Sequence, residues 1–136
     1  MSIPAALKRQ VITRAKRRCE YCGLAQAGQE AAFHIDHVIP CAAGGGTLQE
    51  NLALACVSCS LRKGARSEAL DPLTREKANL FHPRQQRWAD HFVWRGCHLQ
   101  GISPTGRATV AALRLNRTLM VEIRAEEAIH GRHPPP

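Results

Sequence analysis

Cys19-Glu20-Tyr21-Cys22, Phe33-His34-Ile35-Asp36-His37-Val38-Ile39-Pro40 and Asn51-Leu52-Ala53-Leu54-Ala55-Cys56-Val57-Ser58-Cys59 are the segments on which the fold turns. Two Cys-x-x-Cys pairs bracket a stretch in which apolar and polar residues alternate. Each pair forms a tight knuckle that aims two sulfurs at one point, a metal spacing and not a disulfide framework. Two knuckles complete a tetrahedral set of Cys19, Cys22, Cys56 and Cys59. Zinc favours such a set, and it leaves no open position, so this metal is structural. A redox dithiol would need only one pair. Cys41 and Cys97 fall outside the set and read as ordinary small side chains.

Residues 32 to 39 read as a strand ending at Pro40. Phe33, Ile35 and His37 fall on one side, His34 and Asp36 on the other, and a bulge at the end can re-aim the last two. Residues 42 to 47, Ala-Ala-Gly-Gly-Gly-Thr, are loop. Asn51 to Ala55 is a second strand. A helix follows from about Val57 to Lys63, with Gly64 as its stop. The knuckles thus clamp both ends of a strand-loop-strand-helix unit.

Working outward, residues 4 to 18 predict a helix with Pro4 in its first turn and Leu7, Val11, Ile12 and Ala15 on one face. Beyond Asp71-Pro72 the pattern weakens. It predicts a short helix over 84 to 90 and strands at Phe92 to Arg95 and His98 to Ile102. Two helices follow, over 107 to 115 and 117 to 130. The expected organisation is one domain over 1–136, with a core at about 17–66, a C-terminal α/β extension at about 72–130 and a disordered tail at 131–136. The fold class is α+β.

The chain has 136 residues and a formal charge of +8, a field that attracts phosphate polymers. Aromatic residues make up only 4%, so the core relies on aliphatic side chains, and a metal staple suits so thin a core. No apolar run approaches the ~20 residues of a spanning helix. The opening Met-Ser-Ile-Pro lacks the apolar centre of a signal peptide. Reduced cysteines and no secretion signal make the expected location cytoplasmic.

His34-Ile35-Asp36-His37 concentrates ligands and bases. A carboxylate binds a hard divalent cation such as magnesium. A histidine near neutrality takes a proton from water. Together they suit phosphodiester hydrolysis.

With the segments above, Gly44-Gly45-Gly46-Thr47 and Lys63-Gly64, the chain resembles the HNH endonucleases of the ββα-metal fold. A softer similarity continues through Leu80-Phe-His-Pro-Arg84, Trp88-x-x-His-Phe-x-Trp94 and Thr105-Gly-Arg-Ala-Thr109. The resemblance implies a metal-dependent endonuclease acting on DNA, with double-stranded DNA as the expected partner and no membrane. His37 is then the general base. Asp36 is a ligand of the catalytic divalent cation, magnesium or another. Asn51 braces the loop and orients the histidine.

One position departs from the family. Asn or His usually follows the last knuckle cysteine as a second metal ligand, and here Ser60 stands there. Ser60 holds the metal directly or through water, or His34 takes over part of the coordination, or the site is weakened and the protein only binds. Since Asp36, His37, Asn51 and the staple are all present, the reading is retained but slower catalysis. Lys63, three residues after Ser60, is expected to contact a phosphate, with Arg62, Arg66, Arg84 and Arg87 as weaker candidates for backbone contacts. The rival reading is a non-catalytic, zinc-stabilised nucleic-acid-binding module. A protein-interaction zinc domain is disfavoured by the charge.

Overall fold

The computed structural model describes residues 2–136. An N-terminal helix, α1 (Ala5–Arg14), leads to β1 (His34–His37), β2 (Leu52–Ala55) and α2 (Val57–Lys63). The remainder is β3 (Glu68–Leu70), β4 (Lys77–Asn79), β5 (Phe92–Arg95), β6 (His98–Gly101), α3 (Pro104–Ala112) and α4 (Thr118–Ile129). This is an α+β architecture in which β1 pairs with β2, β3 with β4 and β5 with β6, each antiparallel. No helix among the described residues is long and apolar enough to cross a membrane.

Strand alternation divides the β1–β2 hairpin into two faces. Leu52 and Leu54 pack with Val11 of α1, joined at the edges by Leu7, Ile12 and Ile35. Ala53 and Ala55 face the knuckle cysteines and the larger core. Register sets His34 opposite Ala55 and Asp36 opposite Ala53, so these two polar residues of β1 share the alanine face. Arg14 fastens α1 to the hairpin through the carbonyls of Gln49 (2.9 Å) and Leu52 (2.6 Å). The helix is shorter than the predicted 4 to 18. Lys16 and Arg17 adopt left-handed φ values of 54° and 57°, which no helix can continue.

α2 runs over the predicted residues. Cys56 caps it, its sulfur accepting from the Cys59 N–H at 3.4 Å. Gly64 ends it at φ 55°, a conformation that costs glycine little.

β5 and β6 lie where the sequence predicts strands and pair with each other, and β6 stops at Gly101. The helix expected over 84 to 90 is instead turns and a single 3-10 turn at Trp88–Asp90. α3 begins at Pro104, not 107, because Ser103 caps it by accepting from the Gly106 N–H at 2.9 Å. The short β3–β4 hairpin was not anticipated. One core holds Tyr21, the knuckle cysteines and Val38 together with Phe81, Phe92, Leu99, Leu113 and Met120 from the extension. At the tail, His133 lies edge-on to Trp94 with ring centroids 4.7 Å apart, and its Nε2 reaches the Gly96 carbonyl at 2.9 Å.

The β3–β4 turn is tied to α3 by Asp71. This fully buried carboxylate takes a two-pronged contact from Arg107, at 3.0 Å from Nε and 2.8 Å from Nη2. It also accepts from the Leu73 N–H at 2.9 Å. Arg107, outweighing burial, holds the Asp71 carboxyl well below the usual carboxylate range. A depressed carboxylate stabilises the fold above its unfolded pKa of about 3.9, and that contribution fades as pH falls toward the folded value. Asp71→Asn is therefore expected to lower the melting temperature by several degrees near neutrality. The gap from wild type should narrow below about pH 4. Thermal melts of both proteins across that range check it, and a gap that widens on acidification rules out the pairing as its source.

Candidate active site

Cys19, Cys22, Cys56 and Cys59 meet in the core, buried, with all their sulfurs within 4.8 Å of one another. The Cys22 and Cys56 sulfurs are 3.8 Å apart. Zn–S bonds of about 2.3 Å place tetrahedral sulfurs about 3.8 Å apart, so the set is sized for zinc. The N–H groups of Cys22 and Cys59 donate to the sulfurs of Cys19 and Cys56, each at 3.4 Å. Hydrogen bonds among the thiols push Cys22 and Cys59 up and draw Cys56 down. A divalent cation at the centre of the four sulfurs would let all of them bind as thiolates. All six cysteines of the chain are free of disulfides.

Beside this cluster, β1 and α2 frame an open cleft of about 450 Å³ lined by His34, Asp36, His37, Cys41, Ser60 and Gly64. A roomier hollow of about 580 Å³, between α2 and α4, is lined without any carboxylate or histidine. The chemistry-bearing residues therefore gather in the smaller cleft. The strand reading put Asp36 and His37 on opposite faces, yet both line it, His37 as the last residue of β1.

Asp36 is mostly buried and doubly held. The Tyr21 hydroxyl donates to its Oδ2 at 2.7 Å, and the Lys63 ammonium lies 3.2 Å from the same oxygen. Burial raises the Asp36 carboxyl above its ordinary value, more than Lys63 and Tyr21 lower it. Burial also raises the Tyr21 phenol well above its usual range, with Asp36 adding to the effect, so Tyr21 stays a donor.

Lys63 is not where the sequence put it. It is 1% exposed, and its Nζ also donates to the His37 carbonyl at 3.0 Å. Helical spacing from Ser60 was correct, but that side of the helix end turns inward onto Asp36. A lysine so placed is the carboxylate's counter-ion, with its charge turned away from the surface.

His34 and Ser60, read from sequence as alternatives, are in contact, with Nδ1 2.9 Å from the serine Oγ. The His37 Nε2 lies 2.9 Å from the Thr47 hydroxyl. Asn51 is buried and braces the loop. Its Oδ1 accepts from the Ile39 N–H at 2.8 Å, and its Nδ2 donates to the carbonyls of Ile39 (3.0 Å) and Gly46 (2.9 Å). It makes no hydrogen bond to His37, whose ring is held by Thr47. Gly45 has no room for a side chain, since a Cβ there would stand 1.7 Å from the Ile39 oxygen. The glycine run thus lets the loop close onto Ile39 and Asn51 and present Thr47.

Arg66 donates to the carbonyls of Arg62 (2.6 Å) and Ala112 (3.2 Å), joining the end of α2 to α3. The Arg62 guanidinium makes a long contact with the Ser58 hydroxyl, 3.4 Å. Arg84 pairs with Glu20, while Arg87 is exposed. Sequence reasoning missed Tyr21, which it passed over as knuckle spacer, and Thr47, which it counted only as loop.

Residues 19–66 match the family model described as HNH endonuclease. No curated protein and no solved structure matches the chain. The match begins at the first knuckle cysteine and ends just past α2, so it contains the whole cysteine cluster and the cleft beside it. What the comparison identifies is thus an HNH endonuclease domain over residues 19–66, the part of the chain that holds the cysteine cluster and the cleft.

Proposed function

We propose that the protein is a metal-dependent endonuclease hydrolysing DNA phosphodiester bonds in the β1–α2 cleft. The observation carrying this reading is the convergence of His34, Asp36, His37 and Ser60 on one open cleft beside a closed cysteine cluster. A divalent cation bound there would supply charge stabilisation at the phosphoryl and leaving oxygens. Asp36 and His34, two residues apart on β1 and on the same face, would hold it.

The ring contacts support a choice of nitrogens. With Nδ1 of His34 engaged by Ser60, its Nε2 is the ligand atom, and Ser60 orients the ring as partners of metal-bound histidines commonly do. His37, its Nε2 engaged by Thr47, takes the proton from the attacking water on its other nitrogen. Lys63 and Tyr21 keep Asp36 oriented, and the basic surface including Arg62 and Arg66 attracts the phosphate backbone.

On this reading His34→Ala weakens metal dependence, raising the magnesium needed for half-maximal nicking about 10- to 100-fold. Ser60→Asn gains little. Plasmid nicking against magnesium and manganese, with structural zinc in place, reads both variants beside wild type. Faster nicking by Ser60→Asn with an unchanged His34→Ala assigns the ligand to position 60 instead.

One observation favours a second reading. Lys63 already neutralises Asp36 without a metal, as in a zinc module that binds nucleic acid and does not cut it. Absence of nicking under any divalent metal, together with salt-sensitive DNA binding, establishes that module in place of the nuclease.

A further inference from the structure

Arg124, midway along α4, is a buried cation with no carboxylate to answer it. It is 3% exposed. Its Nη1 donates to the Cys97 carbonyl at 3.0 Å and sits 3.5 Å from Asn116 Oδ1, while its Nη2 is buried with no hydrogen-bond partner. The Trp94 ring lies under the guanidinium, 5.1 Å from its centroid. Glu127, one turn further along α4, turns to Arg132 at 2.6 Å. Among the described residues no carboxylate comes within ion-pair distance of Arg124.

Such a placement is costly unless a negative charge lies near, because a guanidinium does not shed its proton. The anions near it are the sulfurs and Glu127, whose charge Arg132 already answers; Arg124, Cys22 and Glu127 border the same small void, about 10 Å³. Burial disfavours the charged guanidinium, and the charges of Cys22, Cys59, Cys97 and Cys56 oppose that effect. Four neutral thiols would give the arginine nothing. Four thiolates on one divalent zinc leave two negative charges, which are what a buried cation requires.

We propose that Arg124 is the counter-ion of the zinc–thiolate centre. The C-terminal extension, outside the matched residues 19–66, thereby supplies charge compensation that slows metal loss. This rests on the structural-zinc reading of the cluster.

The test uses the zinc-loaded full chain and measures zinc transfer to a chromophoric chelator, with the absorption of the cobalt-substituted protein alongside. Arg124→Met, which keeps bulk and loses charge, is expected to release zinc about 10- to 100-fold faster and to shift the cobalt–thiolate bands. Arg124→Lys, which keeps charge, should stay within a few-fold of wild type. If Arg124→Met folds and releases zinc at the wild-type rate, the proposal is overturned. If Arg124→Met does not fold, Arg124→Lys decides. Rapid zinc loss from a lysine variant that melts like wild type overturns the charge role, and wild-type retention supports it. Metal analysis separates the two levels: wild type without zinc overturns the cluster reading and the proposal with it, whereas wild type with about one zinc per chain and insensitive variants overturns the proposal alone.

Discussion

Cys56→Ser is expected to give a chain that does not fold, recovered as aggregate or with the far-UV circular dichroism of an unfolded protein. Three roles meet at this sulfur. It contributes one corner of the four-cysteine cluster, 3.8 Å from Cys22. It caps α2 by accepting the Cys59 N–H. It sits at the junction of β2 and α2, 2% exposed, in the core shared by both halves of the chain. Binding energies for structural zinc are on the order of 10 kcal/mol, comparable to the whole stability of a small domain. Losing one ligand therefore removes most of what holds the fold. Wild type should carry about one zinc per chain. A soluble, zinc-free Cys56→Ser protein with a wild-type melting curve excludes a structural metal, as does a native disulfide between any two of the four.

His37→Ala is expected to slow plasmid nicking by at least about 100-fold, the usual scale for removing a positioned general base. Little else should change. The side chain is half-buried at the end of β1 and touches Thr47, while the contact from Lys63 goes to the main-chain carbonyl, which alanine keeps. Melting temperature and DNA affinity in a salt titration are thus expected near wild type. Nicking by His37→Ala at the wild-type rate assigns the activity to another group. A matching loss of DNA affinity assigns His37 to binding.

Periodic and capped elements were legible in the sequence. Alternation located β1 and β2, and Gly64 marked the end of α2 through its positive φ. Knuckle spacing located the four sulfurs that the fold brings together. Other features had no local signature. Lys16 and Arg17 end α1 by adopting a conformation that nothing in a basic, helix-favouring run announces. β3 and β4 are three residues each, and Glu68, Lys77 and Asn79 give them no apolar alternation. Their pairing is secured from a distance, by Asp71 reaching Arg107.

The start of α3 was legible and overlooked, since Ser103-Pro104 is a cap followed by proline at the first helical position. At the site, residue types in 34 to 37 pointed to the cleft, but contacts made by distant residues did not follow from spacing. Lys63 turns inward because a mostly buried Asp36 must have a counter-charge. Tyr21 reaches Asp36 because the knuckle that carries it folds beneath β1.

The shared core separates two units that coincide in simpler proteins. The segment that matches the family model ends at residue 66, whereas the core that holds its cysteines also takes in Phe81, Phe92, Leu99, Leu113 and Met120. What is inherited as a motif is thus not what stands alone as a folded body. Residues 19–66 cannot be lifted out as a portable cassette, because excision would take those five residues out of the core that the cysteine cluster shares. A graft of this cleft onto another scaffold has to carry the extension with it, or redesign the vacated surface from Tyr21 outward.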